Sequence, residues 1–247
     1  MNWIKTLLSI LTFTLIFSYS IAQSSRKPSI LIFAGMGNQT PASPYKQWVH
    51  QFYNDILTDH LKSFADVTVS EDLTLLNNKT LENYDLIINN SFLREPTADQ
   101  FAAFYQFVES GKSYFALHAG LVSFVNSDKY LKMMGGRFIG HDDVKTFLVN
   151  PYDSWYGWEV ESHSKKHDIV KDISDFKIVD ELYLAQFNTT DLEVIARAEL
   201  HPIMWMRPWG KGRILCLTLG HGDFSQRNEG FRQLFVNGVK WLIANNQ

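Results

Sequence analysis

The sequence predicts an α/β protein: an open, mostly parallel sheet with helices on both faces and a short antiparallel, aromatic-rich insertion over the sheet's carboxyl edge. Three observations predict it. Short apolar runs that read as fully buried strands alternate with stretches of helical periodicity. One run, in KSYFALHAG, leads straight into a bend carrying His118 beside the small residues Ala119 and Gly120. A side chain on such a strand-to-helix bend stands clear of the sheet, at the carboxyl edge where open α/β sheets bind ligands. Finally, 247 residues with 45% hydrophobic content suffice for one domain with a full core.

Residues 1–22 read as a signal peptide and residues 23–247 as a single domain. One positive charge precedes an apolar run at 6–17, and Ser20-Ile21-Ala22 is a small-x-small cleavage site. The run is shorter than the roughly 20 residues of a spanning helix. An exported protein, periplasmic or secreted and free of the membrane after cleavage, is expected. Cys216, the only cysteine, lies in an apolar strand and has no internal disulfide partner.

Residues 29–34 (SILIFA) form the first strand and end in Gly35-Met36-Gly37. That loop lacks both GxGxxG spacing and a Walker lysine, so no nucleotide cofactor is expected. Helical periodicity covers 45–64, and alternation gives a strand at Asp66–Ser70 and another at 85–89. Thr97 opens a capping box with Gln100, and Gly111 stops the helix that follows. Asp128 caps a short helix at 129–134, closed by Gly135-Gly136. Residues 138–161 are the expected insertion, with strands at 144–149 and 158–160. A strand at 176–179, a strand pair at 192–197 and 203–207 joined across Pro202, and a hairpin through PWGKG into 213–219 come next. The helix Glu229–Ala244 closes the chain.

A net charge of −3, without a basic stripe, argues against a nucleic-acid partner. Polar groups reach strand ends at His118, at His141-Asp142-Asp143, at Asp180-Glu181 and at His221-Gly222-Asp223. A histidine with an acid two residues on, as in His221 and Asp223, can have its imidazole oriented for general base work. Alternatively, His118, His141 and His221 with a carboxylate such as Glu181 make a set for one divalent transition metal: zinc, manganese, nickel or iron. Each of these histidines is equally readable as a hydrogen-bonded structural residue. The seven Trp serve either a dense core or a sugar-stacking cleft.

The segments TADQFAAFYQFVESGKSYFALHAG, GGRFIGH, DELY and PIMWMRPWGKGRILCLTLGH together resemble the ThuA-like (trehalose-utilisation) family. The resemblance implies the fold of class I glutamine amidotransferases. Those enzymes carry a cysteine nucleophile at the bend, where this chain has His118, so glutamine hydrolysis through an acyl-enzyme is not available. His221 and Asp223 match their second element. Many family members also place a histidine after the first strand; here that loop has none, and Asn38 or Tyr45 stands in its place.

Two readings follow. In the first, the chain is an enzyme acting on a small-molecule carbohydrate, a disaccharide, keto-sugar or glycoside. It uses His118, His221, Asp223 and Glu181 for catalysis, and a metal on His118, His141 and His221. Trp205, Arg207, Trp158 and Tyr183 would bind the sugar, with Trp155 and Trp209 as further stacking candidates. In the second, it is a non-catalytic carbohydrate-binding module, marked by loss of affinity on Trp205→Ala. A homo-oligomer is compatible with either.

Overall fold

β-Branched and aromatic residues in short unbroken runs leave no face for water, so these strands must be covered on both sides. In the computed structural model, which describes residues 26–37, 51–151, 167–189 and 191–246, that is how they lie. Strands β1 (Ser29–Phe33), β3 (Leu86–Asn89) and β4 (Ser113–Leu117) are buried almost throughout. Their side chains alternate between two cores. Ile30, Ile32, Phe115 and Leu117 face one, and Leu31, Phe33, Tyr114 and Ala116 face the other. Each large apolar side chain so buried stabilises by about 1.5–3 kcal/mol.

The main sheet runs β2-β1-β3-β4-β11-β10-β9-β6-β7. From β2 (Asp66–Ser70) through β11 (Gly212–Leu217) the strands are parallel. Strands β10 (His201–Trp209), β9 (Glu193–Ala198), β6 (Lys145–Asn150) and β7 (Phe176–Asp180) complete it antiparallel. A small second sheet pairs β5 (Gly136–His141) with β8 (Tyr183–Phe187).

Helix α1 (Asn54–Leu61) lies within the periodic stretch, with Tyr53 just before it in a left-handed backbone (φ 44°); residues 45–50 of that expectation lie outside the described residues. A short helix α2 (Asn78–Leu81) follows. Helix α3 (Ala98–Glu109) has the predicted capping box, with the Thr97 N–H donating to Gln100 Oε1 at 2.8 Å. Helix α4 (Asp128–Met134) is capped by Ser127 rather than Asp128. Two further helices, α5 (Asp223–Gln226) and α6 (Glu229–Ala244), end the chain.

Two sequence expectations change. The insertion strand expected at 144–149, found as β6, joins the main sheet, the one expected at 158–160 lies outside the described residues, and among the described residues β5 and β8 form the separate antiparallel pair. The β9–β10 turn falls at Glu199-Leu200, with Glu199 at φ 54°, and Pro202 lies inside β10 beside a register shift, where its missing N–H is tolerated. Among the described residues no helix is long and apolar enough to cross a membrane.

Candidate active site

The site begins where β4 ends. His118 takes φ 43° at the head of the 3-10 turn His118–Val122, a conformation that costs a non-glycine residue about 1–3 kcal/mol. Gly120 lets that turn press on β3, since a Cβ there would lie 1.9 Å from the Asn89 carbonyl oxygen. The imidazole of His118 is buried. Its Nδ1 lies 2.8 Å from the Thr218 carbonyl oxygen. A carbonyl only accepts, so Nδ1 carries the proton and Nε2 the lone pair. Burial lowers the pKa of His118 to about 4, which keeps the ring neutral near pH 7. The Tyr183 hydroxyl, 3.1 Å away, donates to Nε2.

Glu181 stands at the centre, in the short link between β7 and β8. Its Oε2 is 3.1 Å from His221 Nδ1 and 3.7 Å from His118 Nε2, and its Oε1 is 3.7 Å from His141 Nδ1. Burial raises the Glu181 pKa, but its bond to His221 and the electrostatic pull of the neighbouring imidazoles outweigh that and hold it below the usual range. The same bond raises the pKa of His221. His118 and His221 meet edge to face at 5.4 Å between ring centroids. His141 arrives from β5 as the cross-strand partner of Tyr183. It donates from Nδ1 to the Asp142 carbonyl oxygen at 2.9 Å.

Behind these groups lies Asp180, fully buried at the end of β7. Its Oδ1 accepts from the N–H groups of Glu181 (2.9 Å) and His221 (3.1 Å), and its Oδ2 from Gly220 N–H (2.8 Å) and the Ser225 hydroxyl (2.5 Å). Burial nonetheless raises its pKa to about 6.

One ligand atom from each of His118, Glu181 and His221 falls within a 4.8 Å span. Two imidazoles and a carboxylate are donors that zinc, manganese, nickel and iron accept. The His118 Nδ1–H anchored on a carbonyl is the arrangement that aims a ligating imidazole. The residues therefore fit a divalent transition metal, for which the lone pair of His118 Nε2 would pass from the Tyr183 hydroxyl to the ion. Glu181, rather than His141, completes the converging three.

Of the other predicted site residues, Asp223, Trp205, Arg207 and Trp209 fall elsewhere. Asp223 Oδ1 accepts from the Phe224 N–H, and the carboxylate against the His221 ring is Glu181. Trp205 is fully buried, donates from Nε1 to the Met134 carbonyl oxygen and packs edge-on against Phe187, so it has no face for a sugar. Arg207 pairs in register with Ile214, away from the carboxyl edge, and its guanidinium binds the Lys132 carbonyl oxygen and Asp191. Trp209 lies farther along that strand and bonds Glu109. Tyr183 is in the site, buried, with its hydroxyl on His118. Trp155, Trp158, Asn38 and Tyr45 lie outside the described residues.

Two contributors, Phe224 and the Thr218 carbonyl, escaped the sequence reading, and a third, Asp180, was named only as a strand-end polar group. Asp180 follows Phe176 and Ile178 on the inward face of β7, and a carboxylate on that alternation was a legible signal. Phe224, 46% exposed with its ring centroid 6.4 Å from that of His221, had none. The Thr218 carbonyl is a backbone group and carries no sequence signature.

A family model described as ThuA, trehalose utilisation, matches residues 29–242. No curated protein matches the chain. Among solved structures, a ThuA-like protein of Parabacteroides merdae superposes with a TM-score of 0.71 at 15% identity, covering 90% of this chain and 91% of that one. A ThuA-like protein of Bacteroides uniformis gives 0.68 at 18% identity over 92% and 96%. A β-galactosidase of Rahnella sp. R3 gives 0.56 at 14% identity, covering 90% of this chain and 32% of that one. At these identities the superpositions show a shared fold.

Proposed function

The chain belongs to the ThuA (trehalose utilisation) family, and from that premise we propose that it is an exported enzyme acting on a disaccharide, keto-sugar or glycoside. The observation that carries the proposal is the convergence of His118, Glu181 and His221 within 4.8 Å. Glutamine hydrolysis is excluded from it, because a neutral imidazole stands where an amidotransferase needs a thiolate. The apolar run at 6–17 and the Ser20-Ile21-Ala22 site support export.

The chemistry that suits these groups is proton transfer beside a sugar carbonyl or glycosidic oxygen. His118, Glu181 and His221 are the residues that would hold a divalent metal, which when bound supplies a Lewis acid for such an oxygen. Glu181 enters ionised and steadies positive charge on its imidazole neighbours. His141 carries its proton on Nδ1, which leaves Nε2 as the basic nitrogen. Burial and the nearby carboxylates raise the Tyr183 pKa well above that of a free phenol, so its hydroxyl acts as a donor. Phe224 offers the apolar ring face beside the cluster that Trp205 cannot. The binding-module reading thereby loses its marker, since Trp205→Ala reports on the core.

The test is elemental analysis of protein purified without tag or chelator, paired with turnover of keto-sugars and disaccharides. The expected result is close to one equivalent of zinc, manganese, nickel or iron, lost in Glu181→Gln, and turnover abolished in His118→Ala and His221→Ala. Unchanged turnover of every accepted sugar in both histidine variants would sink the proposal.

A further inference from the structure

Asp180 is not one of the three ligand-bearing residues, yet its carboxylate is bonded to the main chain of two of them. Its carboxylate accepts from the backbone of Glu181 and of His221 on Oδ1, and from Gly220 and the Ser225 hydroxyl on Oδ2. The ring of His118 is held from the same loop, through the carbonyl of Thr218, two residues before Gly220. One buried carboxylate thus gathers Glu181, at the end of β7, and His221, after β11.

The distance it bridges is large. In the sheet order β7 stands four strand spacings from β11, roughly 19 Å on a flat sheet. The antiparallel half must curl back for Asp180 to reach Gly220, and the four donors reward that curl at one point. We propose that Asp180 is the positioning residue of the His118–Glu181–His221 centre, setting Glu181 against His221 by its grip on both main chains. This rests on reading those three side chains as one centre.

Chemistry demands a carboxylate at this place. Two oxygens with about four lone-pair sites accept all four donors, whereas an asparagine presents one oxygen and a donating NH₂. Asp180→Asn therefore keeps the shape but sets its NH₂ against at least one main-chain N–H, since only the Ser225 hydroxyl among the four donors can turn to accept. Ser225→Ala removes one donor and leaves the main-chain grip intact.

The experiment uses the full folded chain, stripped of metal, with cobalt(II) alone as the probe and the side-chain ¹⁵N–¹H spectrum of the histidines at one fixed pH as a second readout. Asp180→Asn is expected to weaken cobalt binding about 10–100-fold, the usual effect of losing a group that orients metal ligands. It should shift the His221 ring resonances while the His118 Nδ1–H signal, fixed by Thr218, stays. Ser225→Ala should move His221 the same way to a smaller degree. If Asp180→Asn lowers the melting temperature but leaves cobalt affinity and the His221 resonances as in the wild type, Asp180 is only a staple and the inference falls. If Asp180→Asn does not fold, an unmoved His221 signal in Ser225→Ala overturns it equally. A wild-type protein that binds no cobalt removes the metal reading of the site, and the His221 resonances then decide the role of Asp180 alone.

Discussion

His118 and Asp180 are both buried ionisable groups whose neutral forms burial favours, and they respond to pH in opposite senses. The pKa of His118 is lowered to about 4 from 6.5. As pH falls from 6.5 towards 4 the unfolded chain takes up a proton that the folded chain refuses, so stability is lost on acidification. The pKa of Asp180 is raised to about 6 from 3.8. As pH rises from 3.8 through 6 the unfolded chain releases a proton that the folded chain keeps, so stability is lost on alkalinisation. Each effect is on the order of 3 kcal/mol, and over pH 4–6 they largely cancel. Relative to wild type, Asp180→Asn should lose stability more steeply as pH falls from 6.5 to 4. His118→Asn should lose it more steeply as pH rises from 4 to 6. Urea midpoints at four pH values check both; parallel profiles in all three proteins would refute the assignment.

At the scale of the element, the strand-to-turn bend is set by close backbone approach. A Cβ on Gly120 would lie 1.9 Å from the Asn89 carbonyl oxygen and 2.8 Å from its carbon. Neither atom belongs to a flexible side chain, so β3 and β4 would have to separate. A polar network below fixes the same turn. Asn89 Nδ2 donates to the Tyr114 hydroxyl, which meets that of Tyr130 at 2.8 Å, and Tyr130 donates to the Gly120 carbonyl oxygen. Gly120→Ala should therefore cost about 1–3 kcal/mol, as overpacking usually does, and displace His118 from Thr218. A melting curve and the His118 Nδ1–H signal would show it. The bend was legible in the small residues after Leu117; the left-handed backbone of His118 itself was not, because nothing in its side chain demands it.

For the whole molecule, the closing helix is the post around which the antiparallel half turns. Helix α6 packs on β4, β11 and β7. Phe231 and Phe235 stack at 5.9 Å, and the Phe231 ring passes 3.2 Å from where a Cβ on Gly220 would be. The core beneath the helix thus borders the loop that carries His221. Phe231→Ala should cost about 3–5 kcal/mol, the range for emptying a large buried side chain. It should also loosen the site, whereas truncating the exposed Val69 should stay within about 0.5 kcal/mol. Equilibrium unfolding of both variants tests the contrast.

The sequence by itself determined the parallel strands, the capping box at Thr97 and Gln100, the hairpin through Gly210 and Lys211, and the closing helix at the residues where it is found. Those features depend on local periodicity, caps and turn residues, which neighbouring positions encode. It also pointed to His118, His141, Glu181 and His221 as strand-end or loop groups, because polar residues after apolar runs are visible in one dimension. Only the tertiary structure decided which of them meet. Glu181 replaced Asp223 as the partner of the His221 ring, since the curl of the sheet brings β7 to β11 across four strands. Trp205 went to the core and Phe224 to the surface beside His221. Aromatic side chains read alike in a sequence, and burial follows from what packs over them, which is a property of the assembled sheets.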